Sequence, residues 1–246
     1  MLHRSKKGWL SMYDDIDEFR KFYQTGFGKR VSDMIQQQLG SFWEGGPSLM
    51  SACLGYGIPV FDEKTKIFSL MPSRFGALGR QSSVCSCLVD SDMLPLPDVH
   101  LDRLLLMHSL EFQHDVGRLL DECWRVLDGA GRLMVVVPNR TGLWARTETT
   151  PFGHGQPFSG YQIQQLLKSH GFEPRQTKCA VFIPPLAGQF FQQFTQAIER
   201  VGARLWPAIG GVLLVEADKI LYAASSKRQK RRQRAITGRR VLVGET

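Results

Sequence analysis

The sequence predicts an α/β protein, with a central, mostly parallel sheet and helices on both faces. Three observations lead there. Apolar runs of strand length alternate with stretches of helical periodicity. The run from Arg103 to Met107 is continuously apolar after its first residue, as expected of a strand buried on both faces. Glycine and proline mark the joins, at Gly45-Gly46-Pro47, Gly129-Ala130-Gly131 and Pro138.

Residues 1–44 read as an N-terminal helical segment. Apolar side chains at 16, 19, 22, 23, 27, 31, 34 and 35 recur at helical spacing. Gly26 and Gly28 weaken the middle, which leaves two shorter helices open. Residues 45–222 form the main domain. Strands are expected at Leu49 to Leu54, Lys66 to Leu70, Val84 to Val89, Arg103 to Met107, Leu133 to Val137, Gln176 to Ile183 and from Gly211 to Val215 or Leu221. Helices are expected at Asp115 to Leu127, Ser159 to His170 and Gln189 to Leu205. Pro59 suits the first turn of a helix after the first strand. Asp128-Gly129-Ala130-Gly131 offers glycine for a left-handed helix cap. Ser159 and Gln162 have capping-box spacing, and Gly171 closes that helix.

The net charge of +8 is concentrated in residues 223–246, which read as a basic, disordered tail. Eight cations lie between Lys227 and Arg240 with no acid among them, so the remaining 23 cations balance 23 acids. Such a run suits RNA or an anionic surface, or simply aids solubility. Five cysteines in 246 residues exclude a disulfide scaffold and fit a reducing, cytoplasmic setting. No apolar run approaches membrane-spanning length, and the N-terminus lacks the apolar core of a secretory signal. Cys85 and Cys87 are expected as buried strand thiols rather than metal ligands, and no metal is expected. No phosphate-binding loop with a following lysine appears, which argues against nucleotide hydrolysis.

A parallel sheet binds ligands beyond the carboxyl ends of its strands. The loops after residues 54, 70, 89, 107 and 137 are therefore the place to search. The first reads Gly55-Tyr56-Gly57-Ile58-Pro59, and the third Asp90-Ser91-Asp92-Met93-Leu94-Pro95-Leu96-Pro97-Asp98. His108-Ser109-Leu110-Glu111 follows the fourth strand, Glu122 to Leu133 reads ECWRVLDGAGRL, and Pro138-Asn139 follows the fifth strand. In this order and at these distances, the pieces resemble the class I S-adenosylmethionine-dependent methyltransferases of the type 11 subgroup. The likeness spans roughly residues 45 to 221.

The resemblance implies a Rossmann-like sheet of seven strands, order 3-2-1-4-5-7-6, with the seventh antiparallel. It implies S-adenosyl-L-methionine as cofactor and a small-molecule methyl acceptor. Carried over, Gly55, Tyr56 and Gly57 would pass under the methionyl part of the cofactor. Asp90 would accept from the adenine amino group, with Ser91 against the ring and Met71 at the end of the second strand. His108 would stand at the methionyl end, as cofactor contact and candidate base. Glu111, His114 and His154 are weaker candidates for that base. Trp144, Phe152, His154 and Phe158 are candidates for a substrate lid, or for rings that pack a loop onto the core. Arg140 and Arg146 could hold an anionic substrate.

The family usually carries an acid where Cys53 stands, a third glycine where Pro59 stands, and a ribose-binding acid at the end of the second strand. Here that strand ends Ser69-Leu70-Met71-Pro72. The first loop and the Leu70-Met71-Pro72 stretch resemble a bacterial branch of these methyltransferases, so the departures read as features of a lineage. The missing third glycine and second-strand acid count more strongly against a nicotinamide-dependent dehydrogenase. Two alternatives remain: a catalytically inactive binding or scaffold protein with this fold, and an RNA methyltransferase that uses the basic tail.

Overall fold

The computed structural model describes residues 16–43, 49–61, 67–76, 85–185 and 209–221. The helix expected from Gln189 to Leu205 and the tail 223–246 lie outside the described residues. Seven strands form one sheet: β1 (Ser51–Gly55), β2 (Phe68–Pro72), β3 (Ser86–Val89), β4 (Leu101–Met107), β5 (Leu127–Pro138), β6 (Phe172–Ala180) and β7 (Val212–Lys219). Their order is β3-β2-β1-β4-β5-β7-β6. The first five run parallel, and β7 is antiparallel to both β5 and β6. This is the expected topology. The chain reverses across the sheet between β1 and β4, and their carboxyl ends frame the crevice where such sheets bind ligands.

Alternation along the strands divides the core. Ala52, Leu54, Leu104, Leu106, Val135 and Val137 face one side, where helices α3 (Val116–Val126) and α4 (Gly160–Ser169) pack. Cys53, Leu105, Met107, Met134 and Val136 face the other, where α1 (Ile16–Gln24) and α2 (Gly26–Leu39) pack. The periodicity of the first segment thus resolves into two helices. Thr25 separates them and caps α2, its hydroxyl accepting from the Gly28 amide. A Cβ at Gly28 would lie 2.8 Å from the Tyr23 Cα, so α2 can cross this close to α1 only with glycine there.

α4 carries the expected capping box, with Ser159 and Gln162 each bonding the other's backbone amide. Gly171 follows at φ +80°. Three expectations are corrected. First, residues 128–131 are not a left-handed cap. α3 ends at Val126, Leu127 is extended, and the chain enters β5 directly, with Leu127 paired to Leu101 across a bulge. Second, Pro59 is the middle residue of a 3-10 turn, Ile58–Val60, rather than the first residue of a helix, and residues 62–66 lie outside the described residues. Third, Cys85 and Cys87 are exposed rather than buried: Cys85 precedes β3, and residues 86–88 of this edge strand are exposed on both faces. No described helix is long and apolar enough to cross a membrane. The described residues hold no cluster of His, Cys, Asp and Glu fit for a metal ion.

Candidate active site

Two features meet at the carboxyl ends of the parallel strands. The first is an open cleft of about 420 Å³ lined by Pro72, Ser73, Arg74, Asp90, Ser91, Asp92, Gln113 and His114. Asp90 ends β3. Its Oδ1 accepts from the Asp92 amide at 3.0 Å, which folds the chain back and holds the carboxylate at the cleft. Ser91 is buried at its side. The end of β2 contributes Pro72 and the exposed Ser73, and no carboxylate. Arg74 is committed elsewhere: its guanidinium donates to the Phe112 carbonyl and lies over the rings of Phe75 and Phe112.

The second feature is a packed aromatic chamber around His108. This residue is fully buried and has φ +52°. A left-handed conformation at a non-glycine residue costs about 1–3 kcal/mol and persists only where the surroundings enforce it. Here the chain turns sharply from β4 into a 3-10 turn, Leu110–Phe112, which brings the Glu111 carboxylate back to the histidine. His108 Nδ1 lies 3.2 Å from Glu111 Oε1, and Nε2 lies 2.7 Å from the Tyr23 hydroxyl of α1. Each ring nitrogen therefore faces one polar partner, Nδ1 the Glu111 carboxyl and Nε2 the Tyr23 hydroxyl. The other Glu111 oxygen, Oε2, is buried without a hydrogen-bond partner. Phe19, at 4.9 Å, and Phe152, at 4.8 Å between centroids, pack against the imidazole.

The first loop lies beneath this chamber. Gly55 takes φ +103°, and a Cβ there would lie 2.0 Å from the Met107 carbonyl oxygen. β1 and β4 can therefore end side by side only with glycine at this position. A Cβ at Gly57 would lie 2.4 Å from Cys53 Sγ, so the turn wraps closely around that thiol. Burial pushes the Cys53 thiol well above the usual cysteine range, which leaves it neutral where the resemblance expects an acid.

The expected site residues thus fall into two groups. Asp90 and Ser91 lie on the cleft wall. Gly55, Tyr56, Gly57 and His108 lie in the packed chamber beside it, and Met71 turns into the core. The rings of Phe19, Phe75 and Phe112 pack edge to face on one another nearby, with Phe19 tilted against His108 and with Phe75 and Phe112 beneath Arg74. Sequence reading missed Tyr23 and Phe19, because apolar spacing marks them only as the buried stripe of a helix. Of the lid candidates, Trp144, Phe152 and Phe158 are buried and so pack their loop onto the core. The Gln156 amide ties this loop to the Glu111 carbonyl at 2.7 Å. Arg140 is exposed and donates to the Pro157 carbonyl, Arg146 is exposed, and His154 Nε2 is 2.6 Å from the Glu148 carbonyl.

Several motif residues turn out to hold a loop. Arg125 donates to Glu122, to Asp98 and to the carbonyls of Leu94 and Leu96. Glu122 in turn accepts from the Leu94 amide. The acid, the arginine and the Leu-Pro-Leu-Pro-Asp stretch form one clamp beside β3. Pro138-Asn139 is also structural: Asn139 Nδ2 donates to the Gly210 carbonyl at 2.7 Å, joining the end of β5 to the start of β7.

A family model described as a methyltransferase domain matches residues 73–135. A protein of Mycolicibacterium smegmatis named "probable S-adenosylmethionine-dependent methyltransferase" is 33% identical over 86 residues, covering 34% of this chain and 33% of that protein. A protein of the same description from Mycobacterium tuberculosis is 37% identical over 81 residues, covering 32% of this chain and 29% of that protein. The matched segments therefore span about a third of these relatives. Among solved structures, a SAM-dependent methyltransferase from Thermotoga maritima aligns at TM-score 0.59 and 18% identity, over 83% of this chain and 96% of its own. The cyclase SpnF aligns at TM-score 0.52 and 19% identity, over 78% of this chain and 81% of its own. Structural likeness at this identity shows the fold alone, and SpnF illustrates that one fold serves different reactions. The segment 73–135 is thus similar to methyltransferase domains, and the seven-stranded sheet shares its fold with solved SAM-dependent methyltransferases.

Proposed function

We propose that the protein transfers a methyl group from S-adenosyl-L-methionine to a small-molecule acceptor. The observation that carries this reading is the cleft at the ends of β2 and β3, with the Asp90 carboxylate and Ser91 on its wall. Its volume, about 420 Å³, suits the adenosine half of the cofactor. Asp90 would accept from the adenine amino group, Ser91 would lie against the ring, and the Ser73 hydroxyl is what β2 offers toward the ribose. The methionyl half falls to the turn of Gly55, Tyr56 and Gly57, against which α1 is docked. Phe19 and Tyr23 pack on Tyr56, with centroids at 5.6 and 5.8 Å, so this half opens with movement of α1. When bound, the cofactor supplies an activated methyl group on a sulfonium. The chain's task is then to position and desolvate the acceptor, and to take a proton from it if it carries one. We assign that proton to His108, with Glu111 holding the ring and balancing its charge.

Calorimetric titration with S-adenosylmethionine and S-adenosylhomocysteine tests the reading. We expect micromolar binding, weakened about tenfold in Asp90→Ala, the value of one hydrogen bond to a charged group. Absence of binding to either ligand would overturn the reading. It would favour a binding or scaffold role, which the neutral Cys53 thiol and the missing carboxylate at the end of β2 support.

A further inference from the structure

We propose that Tyr23 holds the place of the acceptor's hydroxyl, so that the site takes a phenol, which displaces α1 to reach His108. This rests on the methyl-transfer reading above and names both the acceptor class and the gate.

Position, chemistry and strain carry it. The carboxyl ends of β1 and β4 frame the crevice where a sheet of this order binds its ligands. Side chains of the chain itself fill it: Tyr23 and Phe19, both from α1. The Tyr23 hydroxyl lies 2.7 Å from His108 Nε2, and Nδ1 faces Glu111 on the far side of the ring. That is the geometry a bound phenol needs in order to lose its proton. The Tyr23 ring lies against Tyr56 and His108, both at 5.8 Å between centroids, so the surroundings suit an aromatic body as well as a hydroxyl. His108 keeps φ +52°, and Glu111 keeps Oε2 buried without a partner. Neither feature is needed merely to pack a helix. Both ring nitrogens are engaged, so an acceptor reaches Nε2 only when Tyr23 leaves. α1 has nine residues, too few to be stable as an isolated helix, and one residue, Thr25, joins it to α2.

In the exchanged state the acceptor's proton passes from its oxygen to His108 Nε2. The electron pair stays on that oxygen as the nucleophile. The resulting imidazolium is balanced by the Glu111 carboxylate and later returns its proton to solvent.

The test is calorimetric titration of 4-methylphenol into the full chain without cofactor, comparing wild type with Tyr23→Phe. The variant keeps the ring and frees Nε2. We expect it to bind 4-methylphenol about tenfold more tightly than wild type, because one hydrogen bond is no longer contested. 4-Methylanisole lacks the O–H and should show no such gain. In wild type, saturating 4-methylphenol should speed amide hydrogen exchange across residues 16–24, and this measurement decides alone if the variant fails to fold. Equal affinities, no binding to either protein, or unchanged exchange in α1 would overturn the proposal. So would loss of turnover in Tyr23→Phe at unchanged phenol affinity, which would make Tyr23 a proton relay. S-adenosylhomocysteine is titrated in parallel. If it alone fails to bind, the methyl-transfer reading falls; if it binds while the phenol affinities are equal, only this proposal falls.

Discussion

At Gly55, one missing methyl group decides whether two strands can end together. Alanine there would need φ +103° and a Cβ 2.0 Å from the Met107 carbonyl oxygen. We expect Gly55→Ala to cost about 3 kcal/mol or more, read as a lower midpoint in urea unfolding. The position was legible as a glycine needed for close approach. The sequence could not say that its neighbour across the gap is the backbone of β4 rather than a ligand. His108 was legible as a residue that follows the fourth strand, and it was expected at the mouth of the site. Its burial and left-handed backbone were not, since they come from the turn that follows and from a helix some eighty residues earlier. Met71 illustrates the opposite case: named for the cofactor, it lies in the core, because a residue at the end of a parallel strand can face either layer.

At the scale of elements, the clamp between α3 and the 94–98 loop joins two of the motif pieces through side-chain and backbone hydrogen bonds. The Arg125 guanidinium and the Leu94 amide hold the Glu122 carboxyl below the usual glutamate range, while Glu122 and Asp98 raise Arg125. A depressed carboxyl contributes stability above its unfolded pKa, about 4.3, and that stability is lost as pH falls through the lower folded value. Wild type should therefore lose unfolding free energy below about pH 4 more steeply than Glu122→Gln, in urea melts across pH 3 to 6. Motif spacing located this clamp without revealing its purpose. Boundaries were the less legible part. β5 begins at Leu127 because the pairing with Leu101 extends the strand past glycines that read locally as a turn. β3 read as buried because its place at the sheet edge is a property of strand order, not of its own residues.

For the molecule as a whole, the order of the seven strands was legible because the resemblance implies it and strand-length runs occur in the right sequence. What the two layers do to the site was not legible. α1 and α2 cover the face that carries Cys53, and they bring aromatic rings to the crevice between β1 and β4. The distribution of cysteines over this architecture also provides a clock. Cys85 and Cys87 stand exposed on the edge strand, while Cys53 and Cys123 are buried, one in each layer. A coloured disulfide reagent should reach the edge pair before the buried thiols. It should reach Cys53 and Cys123 only as quickly as their layers come apart. A ligand that lifts α1 should then hasten the labelling of Cys53 and leave that of Cys123 unchanged, so the ratio of the two rates would time the opening of one face against the steadiness of the other.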